Sequence, residues 1–208
     1  GMAHEIKNPL AAIKTFAQYL PEKYHDAAFR KKFFRIVQNE IDRINEIVRE
    51  LSDFSKPAPL QLQPLRVADV IEDTLSLLSN QCLQQGVEIR RSYGQQNGLK
   101  LEADPQQLKQ VLLNLCLNSL EAMAQGGRLE VSTRSDGRYF VVRISDTGCG
   151  VLASQLSEVW DPFFTTKERG MGLGLAIVKS IVERHGGRIA MSSRPGHGTD
   201  VEVQLPLS

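Results

Sequence analysis

His4-Glu5-Ile6-Lys7-Asn8-Pro9-Leu10 gathers an imidazole, a carboxylate and a carboxamide into one short stretch. On a helix His4 and Asn8 share a face, because residues four apart are neighbours there, and Glu5 stands beside them. An imidazole held this way is a nucleophile for whatever electrophile is presented to it. With an ordinary pKa near ~6.5 it is mostly neutral at neutral pH. Pro9 removes the helical hydrogen bond that would end on the Glu5 carbonyl, which predicts a bend near His4.

A second group of residues lies far downstream. Asn114-Leu115-Cys116-Leu117-Asn118 puts two carboxamides on one face of a mostly apolar helix. Left without partners, each would cost about 1–3 kcal/mol. A hydrated Mg²⁺ bound to phosphates would satisfy them, since hard cations take oxygen ligands; so would ordinary capping or water bonds in a core. Asp146-Thr147-Gly148-Cys149-Gly150 follows a strand. Its glycines allow a flat ligand to approach the backbone, and a carboxylate at a strand end accepts from an exocyclic amine such as adenine's. A plain Asp-Thr-Gly turn accounts for the same residues. Gly170-Met171-Gly172-Leu173-Gly174-Leu175 opens a helix, whose N-terminus and loop amides make an anion site. It lacks the Lys-Ser/Thr of a Walker A loop, and its third glycine is misplaced for a dinucleotide fingerprint. In Asp161-Pro162-Phe163-Phe164-Thr165-Thr166-Lys167 the Phe pair suits the anchor of a lid. Lys167 either reaches phosphate as a point charge or stays solvated. Thr199, in the turn Gly196-His197-Gly198-Thr199, is placed to bring a hydroxyl near a base.

The elements that must carry these residues follow from periodicity. Ile6, Leu10, Ile13, Ala17 and Leu20 form a heptad seam, with His4 on its flank. Pro21 is expected to end this helix, and the stretch to Arg30 to connect it to a second. That second helix carries Phe34, Val37, Ile41, Ile44, Val48 and Leu51, widened by Phe33, Ile47 and Phe54. Two antiparallel helices cannot bury stripes that wide, whereas a dimeric four-helix bundle does; packing within one monomeric domain is the alternative. Lys56-Pro57-Ala58-Pro59 reads as a short, stiff linker, dividing the chain into domains of 1–57 and 58–208.

Beyond the linker, 60–65 is extended and 67–82 helical, and 87–93 and 99–103 are strands. Asp104 caps a helix with Pro105 in its first position, ending before Gly126-Gly127. Asp136-Gly137 turns a hairpin of 129–135 and 139–145. An irregular region, 146–172, precedes a helix that runs to His185 and closes at Gly186-Gly187. A hairpin of 188–193 and 199–205 completes the chain. Strands and helices segregate, as in an α+β two-layer sandwich.

Composition narrows the classes. The chain has 25 Lys and Arg against 24 Asp and Glu, with no long run of either sign, and so lacks the footprint of a nucleic-acid binder. No apolar run approaches the ~18 residues of a membrane span, and no secretory leader is present. Cys82, Cys116 and Cys149 are odd in number and never in a CxxC pair. They read as reduced thiols of a cytoplasmic protein, with Cys149 filling space as a small residue. His185 is expected to favour its helix C-terminus, and His25 and His197 to be solvated. The Gly1-Met2 start, so close to His4, reads as a fragment of a longer protein, any membrane anchor lying in the missing part.

In order, His-Glu-Ile-Lys-Asn-Pro-Leu, NLCLN, DTGCG, DPFFTTK, GMGLGLA and GHGT resemble the bacterial sensor histidine kinases of two-component signalling, over essentially all 208 residues. The resemblance implies a dimerisation and histidine-phosphotransfer hairpin followed by a catalytic ATP-binding domain of the GHKL superfamily. It implies that His4 is the phosphoacceptor, that Glu5 orients or deprotonates it, and that Asn8 fills the position where the family's phosphatase activity places a water. Asn118 would be the Mg²⁺ ligand, with Asn114 supporting the phosphates or the metal shell. Asp146 would read adenine in a pocket shaped by Gly148 and Gly150, beside Thr199. Gly170, Gly172, Leu173 and Gly174 would form the lid and phosphate cradle, with Lys167. ATP and Mg²⁺ are the implied cofactors. A second copy and the receiver domain of a response regulator are the implied partners, with no nucleic acid and no direct membrane contact. GHKL ATPases place a glutamate one turn before the metal-binding asparagine as base for a water. Here that position is Asn114, which cannot act as a base. A protein-serine kinase of the superfamily would lack the histidine helix. A non-catalytic ATP-sensing module would need a broken box, and none is found.

Overall fold

The two heptad-patterned segments form a helical hairpin, α1 (Met2–Lys23) and α2 (Ala27–Ser55). The computed structural model describes residues 2–55, 58–94, 99–167 and 170–207, with backbone alone at 2–5, 46, 49, 50, 53 and 54. Lys56 and Pro57 of the linker and the side chain of Phe54 therefore lie outside the described residues. Pro21 does not end α1. It sits inside the helix, which runs on to Lys23: the ring removes a single N–H, the one that would have donated to the Ala17 carbonyl, and leaves those of Glu22 and Lys23 in place. What sets the turn is Asp26, whose Oδ1 accepts from the backbone N–H groups of Ala28 (2.8 Å) and Phe29 (3.1 Å) as the cap of α2. The connection shrinks to 24–26. Phe16 stacks on Phe29 with centroids 6.2 Å apart, and Pro9 and Ile47 are buried. Phe34, Ile41 and Val48, one heptad apart on α2, stay 63%, 47% and 55% exposed.

Contacts divide the chain into two compact units, Gly1–Ala58 with Pro162–Leu173, and Pro59–Asp161 with Gly174–Ser208. In the second unit a two-stranded antiparallel ribbon joins β1 (Gln63–Arg66) to β3 (Lys100–Ala103). The main sheet holds β2 (Val87–Tyr93), β4 (Gly127–Ser135), β5 (Tyr139–Asp146), β6 (Arg188–Arg194) and β7 (Gly198–Pro206), in the order β2-β4-β5-β7-β6. The β2–β4 pair is parallel and the others antiparallel. On one face burial alternates along β4 (Leu129, Val131 and Thr133) and β7 (Val201, Val203 and Leu205) and takes in Phe140, Val142 and Ile144 of β5, where Val141 is buried as well. That face is covered by α3 (Val67–Gln85), α4 (Pro105–Ala122) and α5 (Gly174–Arg184), through buried residues such as Leu75, Leu115 and Val178. This is the α+β two-layer sandwich that the pattern predicts. Among the described residues no helix is long and apolar enough to cross a membrane. Cys82 and Cys116 are buried free thiols, whereas Cys149 is exposed, so it is no space-filler.

Asp104 ties four segments of this unit together. Its Oδ1 accepts from the N–H groups of Gln106 (3.0 Å) and Gln107 (3.1 Å), capping α4. Its Oδ2 accepts from Gln61 N (3.0 Å), at the entry to β1. Its own N–H donates to His185 Nε2 (3.0 Å), while His185 Nδ1 lies 2.8 Å from the Ile181 carbonyl. The ring therefore carries its proton on Nδ1. Burial of Asp104 opposes its ionisation, but the N–H donors of Gln61, Gln107 and Gln106 outweigh burial and hold the carboxyl below the usual range. A depressed folded-state pKa means stability that is present above the unfolded value of ~3.9 and lost as pH falls through the folded one. Asp104→Ala is expected to destabilise this unit by about 1–2 kcal/mol in urea melts at neutral pH. Asp104→Asn should keep most of the cap while flattening the acid limb of the stability profile.

Candidate functional site

The site grows from the end of the central strand. Asp146 closes β5, paired on one side with Leu129 and on the other with Thr199. Its side chain points to the helical layer and is only 7% exposed. Oδ1 accepts from the backbone N–H groups of Gly148 (2.8 Å) and Thr199 (3.2 Å). Burial raises the Asp146 pKa above the usual carboxylate range. The Gly148 N–H, the Ser119 hydroxyl and the Thr199 N–H offset only part of that rise.

The loop after Asp146 is latched at several points. Cys149 N donates to the Ala122 carbonyl at the end of α4 (3.1 Å), and Gly196 N donates to the Cys149 carbonyl (2.8 Å). Ser193 Oγ accepts from Val151 N (2.8 Å), donates to the Gly198 carbonyl (2.7 Å) and lies 2.9 Å from Thr199 Oγ1. Gly150 thus sits against the β6–β7 turn. A Cβ on Gly148 would stand 2.7 Å from both the carbonyl oxygen and the Cβ of Ala122. The glycine is required first for the loop to pack on α4. Thr147 Oγ1 accepts from Arg128 N (3.0 Å), pinning the loop to β4.

On α4, Asn114 Nδ2 donates to the Gly174 carbonyl (3.4 Å), joining that helix to the start of α5. Asn118, one turn further, is half-buried. Its carboxamide offers a hard oxygen. Among the described residues no cluster of three or more His, Cys, Asp or Glu is arranged to hold a metal. A cation at Asn118 would complete its shell with phosphate and water oxygens, which suits Mg²⁺.

Asn114, Asn118, Asp146, Gly148, Gly150, Gly174 and Thr199 all lie in the second unit. His4, Glu5, Asn8, Lys167, Gly170, Gly172 and Leu173 belong to the first. His4 and Glu5 lie on α1, their side chains outside the described residues, and Asn8 is exposed. Within 162–173 Lys167 is exposed, Leu173 is fully buried, and Phe163 donates its N–H to the Gly172 carbonyl (3.1 Å). Phe163 has φ +70°, a left-handed conformation uncommon for a bulky residue. Ser119, Ala122 and Ser193 are the site residues that sequence reasoning missed. Only Ser119 carried a signal, as a hydroxyl on an apolar helix face next to Asn118.

Residues 103–208 match the family described as histidine kinase-, DNA gyrase B-, and HSP90-like ATPase, to which the chain belongs, and residues 1–59 match the His Kinase A (phospho-acceptor) domain. That pairing is the catalytic core of a two-component sensor histidine kinase. The sensor histidine kinase ZraS of Escherichia coli (strain K12) is 37% identical over 208 residues, covering 100% of this chain and 44% of that protein. Sporulation kinase C of Bacillus subtilis (strain 168) is 33% identical over 207 residues, covering 100% of this chain and 48% of that one. The chain spans just under half the length of these relatives. The crystal structure of histidine kinase ThkA in complex with response regulator protein TrrA is similar at a TM-score of 0.84 and 27% identity, covering 99% of this chain and 60% of that one.

Proposed function

We propose that the chain transfers the γ-phosphoryl group of ATP to His4 and then to an aspartate in the receiver domain of a response regulator. One observation carries this reading over ATP hydrolysis. The residue one turn before Asn118 is Asn114, an amide engaged with the Gly174 carbonyl, where a hydrolase needs a carboxylate to activate water. The same chain supplies a nucleophilic imidazole on α1.

In this reading domain 1–57 accepts the phosphoryl group and domain 58–208 delivers it. Asp146 accepts from the adenine amine, beside Thr199 and the loop holding Gly148 and Gly150. Lys167, Gly170, Gly172, Leu173 and Gly174 enclose the phosphates, and Asn114 supports them. Asn118 would hold Mg²⁺, which when bound neutralises charge on the phosphate oxygens. Glu5 holds the proton on the imidazole nitrogen that does not attack, and Asn8 positions a water for dephosphorylation of the regulator. The test is a time course with γ-labelled Mg-ATP. Acid-labile, alkali-stable label on the chain, chased onto a receiver domain, is expected. Phosphate release without labelling would overturn the reading in favour of an ATPase.

The proposal includes a homodimer, supported by the exposed row of Phe34, Ile41 and Val48, which the hairpin leaves uncovered. Ile41→Glu is expected to halve the mass found by light scattering, with helicity by circular dichroism retained. A parent chain that is already monomeric would contradict the dimer.

A further inference from the structure

We propose that Thr147 is a positioning residue for base recognition, its side chain closing the β4–β5 ladder so that Asp146 is held where an exocyclic amine meets it. This rests on the reading of Asp146 as the base-recognising group. In register, the pair of Leu129 and Asp146 is followed by Arg128 opposite Thr147. Thr147 N donates to the Arg128 carbonyl (3.2 Å), as in a hydrogen-bonded antiparallel pair. A continued strand would return the Arg128 N–H to the Thr147 carbonyl. Here that N–H goes to Thr147 Oγ1 instead (3.0 Å). The hydroxyl stands in for the carbonyl, so the chain leaves the sheet after Asp146 without orphaning the Arg128 amide.

The same hydroxyl reaches a second element. It lies 3.8 Å from Met123 Sδ, at the C-terminal cap of α4, so it accepts from β4 and gives its hydrogen to the sulfur. Gly127, at the start of β4, leaves the room for this: a Cβ there would stand 2.7 Å from both Thr147 Oγ1 and Met123 Sδ. Thr147 is also the one residue between the partners of the Gly148 N–H bond to Asp146 Oδ1. Its conformation therefore sets where that donor stands relative to the carboxylate. The latches of Cys149 N on Ala122 and Gly196 N on Cys149 act beyond Gly148. The rung to Arg128 holds the chain between Asp146 and those latches. Thr147 is otherwise exposed, so removing its hydroxyl opens no cavity in the core. Without the rung the end of β5 parts from β4, and the carboxylate loses the fixed bearing an amine needs. The segments that enclose the phosphates in this reading do not depend on it.

The experiment measures Mg-ATP and Mg-GTP affinity of the whole chain, for the parent, Thr147→Val, Thr147→Ser and Asp146→Asn. Thr147→Val keeps the branched shape and removes the hydroxyl. It should bind ATP about fivefold more weakly. Its GTP affinity should stay the same, since guanine offers no amine at that place, so the preference for ATP narrows by the same factor. Thr147→Ser, which keeps the hydroxyl, should restore both. Unchanged ATP affinity in Thr147→Val, with ATP binding lost in Asp146→Asn, would overturn the threonine's role alone. ATP binding unaffected by Asp146→Asn would overturn the base reading and this proposal together. Equal losses for ATP and GTP in Thr147→Val, not rescued by serine, would make the residue merely structural, and would also overturn it.

Discussion

His4→Gln will take up no label from γ-labelled ATP while binding the nucleotide as the parent does. On the proposed reading the neutral imidazole would attack the γ-phosphorus, forming a P–N bond as the P–O bond to ADP breaks and its electron pair leaves on the β-phosphate oxygen. On the same reading Glu5 would hold the proton of the other ring nitrogen during the attack and accept it as the positive charge on the ring is lost. A glutamine amide has its nitrogen lone pair delocalised into the carbonyl, so it offers no comparable nucleophile. Glutamine is also a good helix former, so α1 is not the casualty. Label should fall to background, with thermal stability unchanged. Glu5→Gln should slow labelling without abolishing it, since the ring is still present. The remaining histidines make poor substitutes. Both ring nitrogens of His185 are engaged, one by Asp104 N and one at the Ile181 carbonyl. His25 lies in the turn between α1 and α2, edge-on to Tyr24, and His197 lies in an exposed turn. Label persisting on His4→Gln would send the search for the acceptor elsewhere.

The second large effect is expected at Gly198, a position no chemical argument had singled out. Its φ is +89°, and a Cβ there would stand 1.8 Å from the Asp146 carbonyl oxygen and 2.7 Å from the carbonyl carbon. Both obstacles are backbone, so no rotamer change relieves the clash. Gly198→Ala must push β7 away from the end of β5. That breaks the Thr199 N–H bond to Asp146 Oδ1 and disturbs the Ser193 bond to the Gly198 carbonyl. Left-handed strain of about 1–2 kcal/mol adds to about 1–3 kcal/mol of forced displacement. A thermal melt should drop by about 10 °C, and ATP affinity should fall with it. Gly196→Ala in the same turn is the control. There φ is +75° but nothing lies within 4 Å of the new Cβ, so only the left-handed strain applies. Equal effects at the two positions would refute the steric argument. The site would then depend on backbone freedom in the turn as a whole.

Much of this architecture is legible locally. The heptad seams of α1 and α2, Asp104 with Pro105 at the start of α4, and Asp136-Gly137 at the β4–β5 turn are each written within a few residues. The physics behind them is equally local: neighbours one turn apart, a side chain capping N–H groups two and three residues on, a dipeptide suited to a tight turn. Pro21 shows the limit of such reading. A proline removes one N–H and does not by itself stop a helix, and α1 runs two residues past Pro21.

By itself, the sequence determined which residue types recur in the patterns of a histidine kinase core, and the helices and strands that carry them. It determined that Asn114 stands where a water-activating carboxylate would have to be. Tertiary structure alone decided that β2 and β4 run parallel, that β1 pairs with β3, and that Asp104 reaches Gln61 and His185. It also decided that the Asp146 carboxylate is held from β7 and its own loop at once. Apart from the bond inside the loop, these contacts join residues 34 to 81 positions apart. They exist only when sheet register and helix packing bring both ends together, and no local pattern encodes that meeting.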